Sequence, residues 1–174
     1  MAEKYANSEL VVRQATKEDM SAVADMIQEL ADSEKMPGGP KMSVQGLQHD
    51  GFERQPPAFF CKVAEVQTPD RLIVGYALYF PTYSTWEGRA MMLEDLYVRQ
   101  QVRRKGVGQK LFDAVAKEAF ESGCSRLDFH VLDWNPAKGF YEAKGAVNLT
   151  QLEEWCYYRL AGDALANVAN SATV

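Results

Sequence analysis

The residues whose types and spacing best suit chemistry form a basic, glycine-bearing bend, Arg103-Arg104-Lys105-Gly106-Val107-Gly108, lying between an apolar run and an amphipathic one. Two glycines one residue apart let the backbone turn tightly and aim successive N–H groups at one point, at the positive end of the following helix. That geometry holds a phosphate or pyrophosphate, and Arg103, Arg104 and Lys105 add charge that a phosphate ester can use. A triphosphate loop would need Gly-Lys-Ser/Thr, but Gly108 is followed by Gln109 and Lys110; a dinucleotide fingerprint would need a small residue where Leu111 stands. Spacing alone leaves open an ordinary turn carrying basic surface residues.

Just upstream, Glu94 and Asp95 interrupt the apolar residues Met91-Met92-Leu93 and Leu96-Tyr97-Val98. A buried carboxylate either shifts its pKa or demands a cation, so these two are a candidate acid–base site or one half of a structural pair with arginine. Neighbouring strand residues face opposite sides, so without a bulge only one of them can look into a given cleft. Asp32 and Glu34 fall at the end of a predicted helix, where the macrodipole disfavours negative charge. Either Lys35 neutralises them locally or a cation comes from elsewhere. Cys61, Cys124 and Cys156 form no CxxC pair, and neither His49 nor His130 stands at ligand spacing with them, so no metal site is expected.

The elements that must position these groups follow from periodicity. Residues 10–14 predict a short strand, and Thr16 with Asp19 three positions on predicts a helix start. Met20, Val23, Ile27 and Leu30 then predict an amphipathic helix over 17–34, stopped by Met36-Pro37-Gly38-Gly39-Pro40. A short second helix is expected over 43–50, then strands over 58–66 and 72–80 joined as an antiparallel hairpin through Gln67-Thr68-Pro69-Asp70. A loop over 81–89 leads to a long strand over 91–98. Beyond the basic bend, Leu111, Phe112, Val115, Ala116, Ala119 and Phe120 make one helical face, which Gly123 ends. A strand over 126–132 follows, then Asn135 as N-cap with Pro136 at the first helical position, Gly145 as the stop, and a final strand over 155–160. Residues from about 163 on read as a frayed, flexible tail.

A chain of 174 residues, 47% hydrophobic and 25% charged, is the size of one globular domain. The order of elements predicts a mixed α/β single domain over 1–174. A net charge of −5, with no basic cluster beyond the 103–105 triplet, argues against nucleic acid as a partner. The N-terminal residues lack the apolar core of a secretion signal, and no apolar run approaches the ~20 residues that cross a bilayer. Free thiols in a reducing compartment are the simplest reading of the odd cysteine count, so a cytoplasmic location is expected.

Three stretches together resemble the GNAT acetyltransferase superfamily: Leu93-Glu94-Asp95-Leu96-Tyr97-Val98, the loop Arg103-x-x-Gly106-x-Gly108, and Trp134-Asn135-Pro136-Ala137-Lys138-Gly139-Phe140-Tyr141-x-x-x-Gly145-Ala146. Their order and wording are most similar to the diamine or spermidine/spermine N1-acetyltransferase family, in particular its thialysine Nε-acetyltransferase branch. The resemblance covers about residues 10 to 160. It implies a mostly antiparallel central sheet whose central strands splay apart, flanked by helices, with acetyl-CoA as cosubstrate. The backbone of Leu96, Tyr97 and Val98 would pair with the pantetheine arm. Arg103, Arg104, Lys105, Gly106, Val107, Gly108 and Gln109 would surround the pyrophosphate, with Asn135, Lys138 and Tyr141 further along the cosubstrate.

The resemblance also assigns roles. An aliphatic ammonium has a pKa near ~10.4, so only about one molecule in a thousand is nucleophilic at neutral pH and a base must take the proton. Glu94 matches that base, and Asp95 a recognition residue beside it. Tyr141, which by itself reads as a core aromatic, matches the general acid that protonates the departing thiolate. Ser33, Glu34, Trp86, Asp128, Phe129, His130 and Glu153 match positions of the substrate cleft. Ser33 stands where the polyamine pattern has a tyrosine and Ser84 where it has an acid, which weakens the case for long polyamines. A short diamine or lysine-like amino acid is expected ahead of spermidine, and a homodimer is implied. The rival readings are a protein or peptide N-acetyltransferase and a non-catalytic acyl-CoA-binding amine sensor.

Overall fold

The computed structural model describes residues 9–36, 38–153 and 155–172. Pro37 of the expected helix breaker, the first eight residues and the last two of the expected tail lie outside them. The chain forms two compact units, Met1–His130 and Val131–Val174.

The first unit holds a five-stranded sheet in the order β1-β2-β3-β4-β5, built from β1 (Leu10–Gln14), β2 (Phe60–Val66), β3 (Leu72–Ser84), β4 (Gly88–Val98) and β5 (Leu127–Phe129). The first three pairings are antiparallel and β4–β5 is parallel. Helices α1 (Met20–Ser33), α2 (Val44–Gln48) and α3 (Val107–Glu121) flank it. Before α1 comes a single 3-10 turn, Lys17–Asp19, closed by the expected capping box: Asp19 Oδ2 accepts from the Thr16 backbone N–H at 2.8 Å. Met20, Val23 and Met26 of α1 are buried with Cys61, Val63, Tyr76, Leu78 and Tyr97 in one core cluster.

Helix α3 lies so close over β3 that a Cβ on Gly75 would come within 3.1 Å of Leu111 Cδ1 and 2.9 Å of the Tyr97 carbonyl. Only glycine fits that approach. At the β1–β2 end of the sheet, Glu65 is fully buried yet fully bonded. Its Oε2 accepts from Arg13 Nε at 2.8 Å and Nη2 at 2.6 Å, and its Oε1 accepts from Gln67 Nε2 at 2.8 Å and Arg71 Nε at 3.0 Å.

Several boundaries differ from expectation. The loop expected over 81–89 is mostly strand, with β3 reaching Ser84, β4 starting at Gly88 and only three residues turning between them. Pro81 is tolerated there because β2 pairs with β3 no further than Tyr79, so a missing N–H costs no ladder bond on that side. The strand expected over 126–132 is only Leu127–Phe129.

In the second unit, α4 (Lys138–Glu142) starts three residues after Asn135, although Asn135 Oδ1 does cap the preceding turn by accepting from the Ala137 N–H at 2.9 Å. After α5 (Leu149–Leu152), residues 155–161 have no regular secondary structure, which corrects the final strand expected over 155–160. Strand propensity is realised only against a partner edge, and among the described residues its own unit contains helices and no strand. Residues Gly162–Ser171, read from composition as irregular, form helix α6, to which its alanines are suited.

Candidate active site

Strand β4 carries the centre of the site. It pairs with β3 along its whole length but with β5 only at Met91, Met92 and Leu93. Among the described residues, the edge of β4 facing away from β3 therefore has no partner strand from Glu94 to Val98. Within the β3–β4 ladder, Leu78 faces Asp95 and Tyr79 faces Leu93, leaving Glu94 opposite no residue. That is a bulge, and it removes the alternation that would otherwise force Glu94 and Asp95 to opposite faces.

Glu94 is exposed at the bulge, while Asp95 is partly buried. Asp95 Oδ2 accepts from the Tyr76 hydroxyl at 3.0 Å, and among the described residues no lysine or arginine pairs with it. Burial pushes its carboxyl up to about 6, with the charges of Glu94 and Glu34 adding to the rise and the Tyr76 hydrogen bond opposing it. Glu34, the C-cap of α1, is itself raised by burial. The end of α1 thus adjoins an anionic corner formed by Glu34, Glu94 and Asp95, with no cation bonded to Asp95 among the described residues.

Downstream, one 3-10 turn (Gln100–Val102) leads to the glycine bend. Arg104 at φ 62° and Gly106 at φ 76° are both left-handed, and no side chain caps α3 at Gly106. The first N–H groups of α3 have no intrahelical acceptor in such a geometry, and they point along the helix axis into the bend. A Cβ on Gly106 would meet nothing within 4 Å, and on Gly108 only Val98 Cγ2 at 3.7 Å, so the bend is open. Arg103 folds back, its Nε donating to the Val98 carbonyl at 2.7 Å and its guanidinium lying 5.2 Å from the Tyr97 ring centre. Tyr97 in turn donates to Glu29 Oε2 on α1 at 3.1 Å, and Arg99 to Glu29 Oε1 at 3.0 Å. Arg104, Lys105 and Gln109 are exposed around the bend, and Val107 is buried beneath it.

Other predicted residues are engaged elsewhere. Asp128 accepts from Arg126 Nε at 2.9 Å, and Arg126 also bridges to Glu87 at 2.7 Å. Ser33 Oγ donates to the Leu30 carbonyl of its own helix. Trp86 is 90% exposed at the hairpin tip, whose turn Ser84 Oγ closes by accepting from the Trp86 and Glu87 N–H groups. Phe129 packs edge-on against Phe112 at 5.7 Å, and His130 is exposed after β5. In the second unit, Lys138 Nζ bonds Asp133 at 2.7 Å, and Glu153 accepts from Trp155 Nε1 at 2.8 Å. Tyr141 sits on α4 with its ring 5.0 Å from Phe140, and burial raises its phenol above the ordinary tyrosine range.

The profile of the acetyltransferase (GNAT) family matches residues 23–146, which spans the bulged strand, the glycine bend and α4. The chain belongs to the GNAT acetyltransferase family. Over 164 residues the enzyme is 41% identical to the thialysine N-epsilon-acetyltransferase of Mus musculus, covering 91% of this chain and 96% of that protein. It is 39% identical over 166 residues to the Bos taurus thialysine N-epsilon-acetyltransferase, covering 92% and 97%. Among solved structures, an integron cassette protein of V. cholerae matches with a TM-score of 0.72 and 25% identity, covering 93% of this chain and 98% of that one.

Two features of this acetyltransferase were not visible in its sequence: the Tyr76 hydroxyl on Asp95 and the Glu29 bridge to Tyr97 and Arg99. Tyr76 reads as one more core aromatic of a strand. The available signal was its hydroxyl, since a tyrosine in a strand buried on both faces must find an acceptor.

Proposed function

We propose that this acetyltransferase transfers the acetyl group of acetyl-CoA to a primary amine of a small cationic substrate, a diamine, polyamine or thialysine/lysine-like amino acid, by direct attack in a ternary complex. The observation that carries this reading is the Glu94 bulge. It sets an exposed carboxylate and a half-buried, cation-free one side by side at the open edge of β4.

The open bend fits an acyl-CoA cosubstrate, because the uncapped start of α3 offers backbone donors to a pyrophosphate and Gly106 leaves space for it. Leu96, Tyr97 and Val98 would hold the amide-bearing arm, with Arg103, Arg104, Lys105, Val107, Gly108 and Gln109 around the phosphates and Asn135 and Lys138 further along. When bound, acetyl-CoA supplies the activated acetyl group as a thioester. Glu94 takes the ammonium proton, directly or through water, and Asp95 with Glu34 attracts the cation. Tyr141 is assigned the proton for the leaving sulfur. Its raised phenol is fully protonated at neutral pH, as a donor must be. Ser33, Trp86, Asp128, Phe129, His130 and Glu153 are retained as cleft residues, Asp128 with its charge already shared with Arg126.

The free Cys61, Cys124 and Cys156 support a reducing, cytoplasmic setting. The exposed Trp155, Tyr157 and Tyr158 support a homodimer. A panel of diamines, thialysine, lysine, spermidine and a lysine-bearing peptide, each incubated with acetyl-CoA, tests the function. Acetylation of a short diamine or thialysine ahead of spermidine is expected. A preference for the peptide overturns the small-amine class, a preference for spermidine overturns the ranking of short amines ahead of polyamines, and acetyl-CoA binding with no turnover of any amine overturns catalysis.

A further inference from the structure

Tyr76 is fully buried on the face of the sheet that packs against α1. Its ring is fixed within that core and lies 6.5 Å from the ring of Tyr97. Packing therefore sets where its hydroxyl points, and it points at Asp95 Oδ2, 3.0 Å away. The other carboxylate oxygen, Oδ1, accepts no hydrogen bond among the described residues. Since no side-chain polar atom among them is both buried and unpartnered, Oδ1 keeps a path to solvent. One oxygen is thus gripped from inside the sheet and the other is left open.

We propose that Tyr76 is a positioning residue for the amine: its hydroxyl clamps Asp95 Oδ2 and so presents Oδ1 as the acceptor for an ammonium group. The identity of that cation rests on the amine-acetyltransferase reading above. The clamp itself does not.

The groups facing Asp95 come from four places. Glu94 adjoins it on β4, Glu34 reaches it from the end of α1, Cys61 approaches from β2 and Tyr76 from β3. Both glutamates favour its protonated form. Burial pushes the Cys61 thiol up to about 12, so it is neutral and brings no charge at neutral pH. Of these groups, Tyr76 is the one that donates a hydrogen bond to Asp95. Burial, with the charge of Asp95 behind it, drives its phenol far above the ordinary tyrosine range, so it holds its proton throughout and cannot act as a base. A charge-assisted hydrogen bond from a fixed donor favours the ionised carboxylate. Without it, Asp95 would face only burial and two carboxylates, and would stay protonated to higher pH. A protonated Asp95 attracts an ammonium poorly, so the loss falls on amine binding, most strongly at low pH.

The test follows the Asp95 carboxyl by carbon-13 NMR in the free protein, in wild type, in Tyr76→Phe, and in protein with fluorotyrosine incorporated at position 76, a more acidic donor of nearly the same size. The expected midpoints are near 6 in wild type, higher with phenylalanine and lower with fluorotyrosine. With a diamine and acetyl-CoA, Tyr76→Phe is expected to raise the amine KM about tenfold near neutral pH and leave kcat within about twofold. The KM for acetyl-CoA should not move, and the deficit should shrink as pH rises. Equal Asp95 midpoints in all three proteins, or an amine KM deficit that is the same at every pH, overturns the clamp. If phenylalanine prevents folding, the fluorotyrosine protein decides the matter alone. A wild type that acetylates no amine overturns the function but leaves the NMR midpoints to decide the role of Tyr76.

Discussion

Two acidic side chains sit beside two bulges of the same sheet and have opposite fates. At the β2–β3 bulge, where Val74 faces no residue, Glu65 is fully buried between Arg13, Arg71 and Gln67. At the β3–β4 bulge, Asp95 is less deeply buried, yet it has one tyrosine donor and two carboxylates for company. Burial disfavours both charges, but Arg71 and Arg13 outweigh it at Glu65 and bring that carboxyl below its usual 4.5. At Asp95 burial wins, and the carboxyl rises from 3.8 to about 6. The first acid is part of what holds the sheet edge together. The second is kept charged at neutral pH at a cost to folding, and in the proposed function the missing cation is the one the substrate brings.

The largest expected effect separates the two bulges by activity. Glu94→Gln should lower kcat by about 10²- to 10⁴-fold, the range of general-base catalysis, with acyl-CoA affinity retained. Glu65→Gln, in the same assay, should leave kcat per folded molecule unchanged. Equal losses would remove the distinction.

Next is stability. Arg13→Ala removes two of the five hydrogen bonds to the buried Glu65 carboxylate and should cost about 3 kcal/mol in chemical denaturation. Asp95→Asn should act in the other direction. A rise from 3.8 to about 6 corresponds to about 3 kcal/mol against the charged form. A partly exposed group keeps less of that, so a gain of about 2 kcal/mol is expected above neutral pH. The pH dependence has matching signs. Asp95 has a raised pKa, so its contribution is fully present below 3.8 and is lost as pH rises through about 6. Glu65 has a lowered one, so its contribution is present above 4.5 and is lost as pH falls through its depressed folded value. Denaturation of Asp95→Asn and Glu65→Gln across pH 3 to 8 should show the first variant diverging from wild type on the basic side and the second converging with it on the acid side. The smallest effect is at the bend, where Gly106→Ala strains a left-handed φ by about 1 kcal/mol and should weaken acyl-CoA binding severalfold.

How much of this was legible beforehand depended on whether the signal was local. The capping box at Thr16, the core face of α1 and the glycine bend are written in spacings of two to four residues, and the structure reproduces them. The bulge at Glu94 is a property of register between β3 and β4, which one strand's sequence does not contain; only the need for it could be stated. Tyr76 was hidden for the same reason, since its partner lies nineteen residues away. The run 155–160 failed differently: its residue types favour a strand, but among the described residues its unit holds no strand to pair with it.

The contrast between the satisfied acid and the cation-seeking one can be read directly from thermal unfolding with saturating CoA and a rising concentration of a short diamine. Wild type is expected to gain melting temperature with diamine, Glu65→Gln to gain as much from its own lower baseline, and Asp95→Asn to start higher and gain little. A diamine response in Asp95→Asn equal to that of wild type would contradict that contrast.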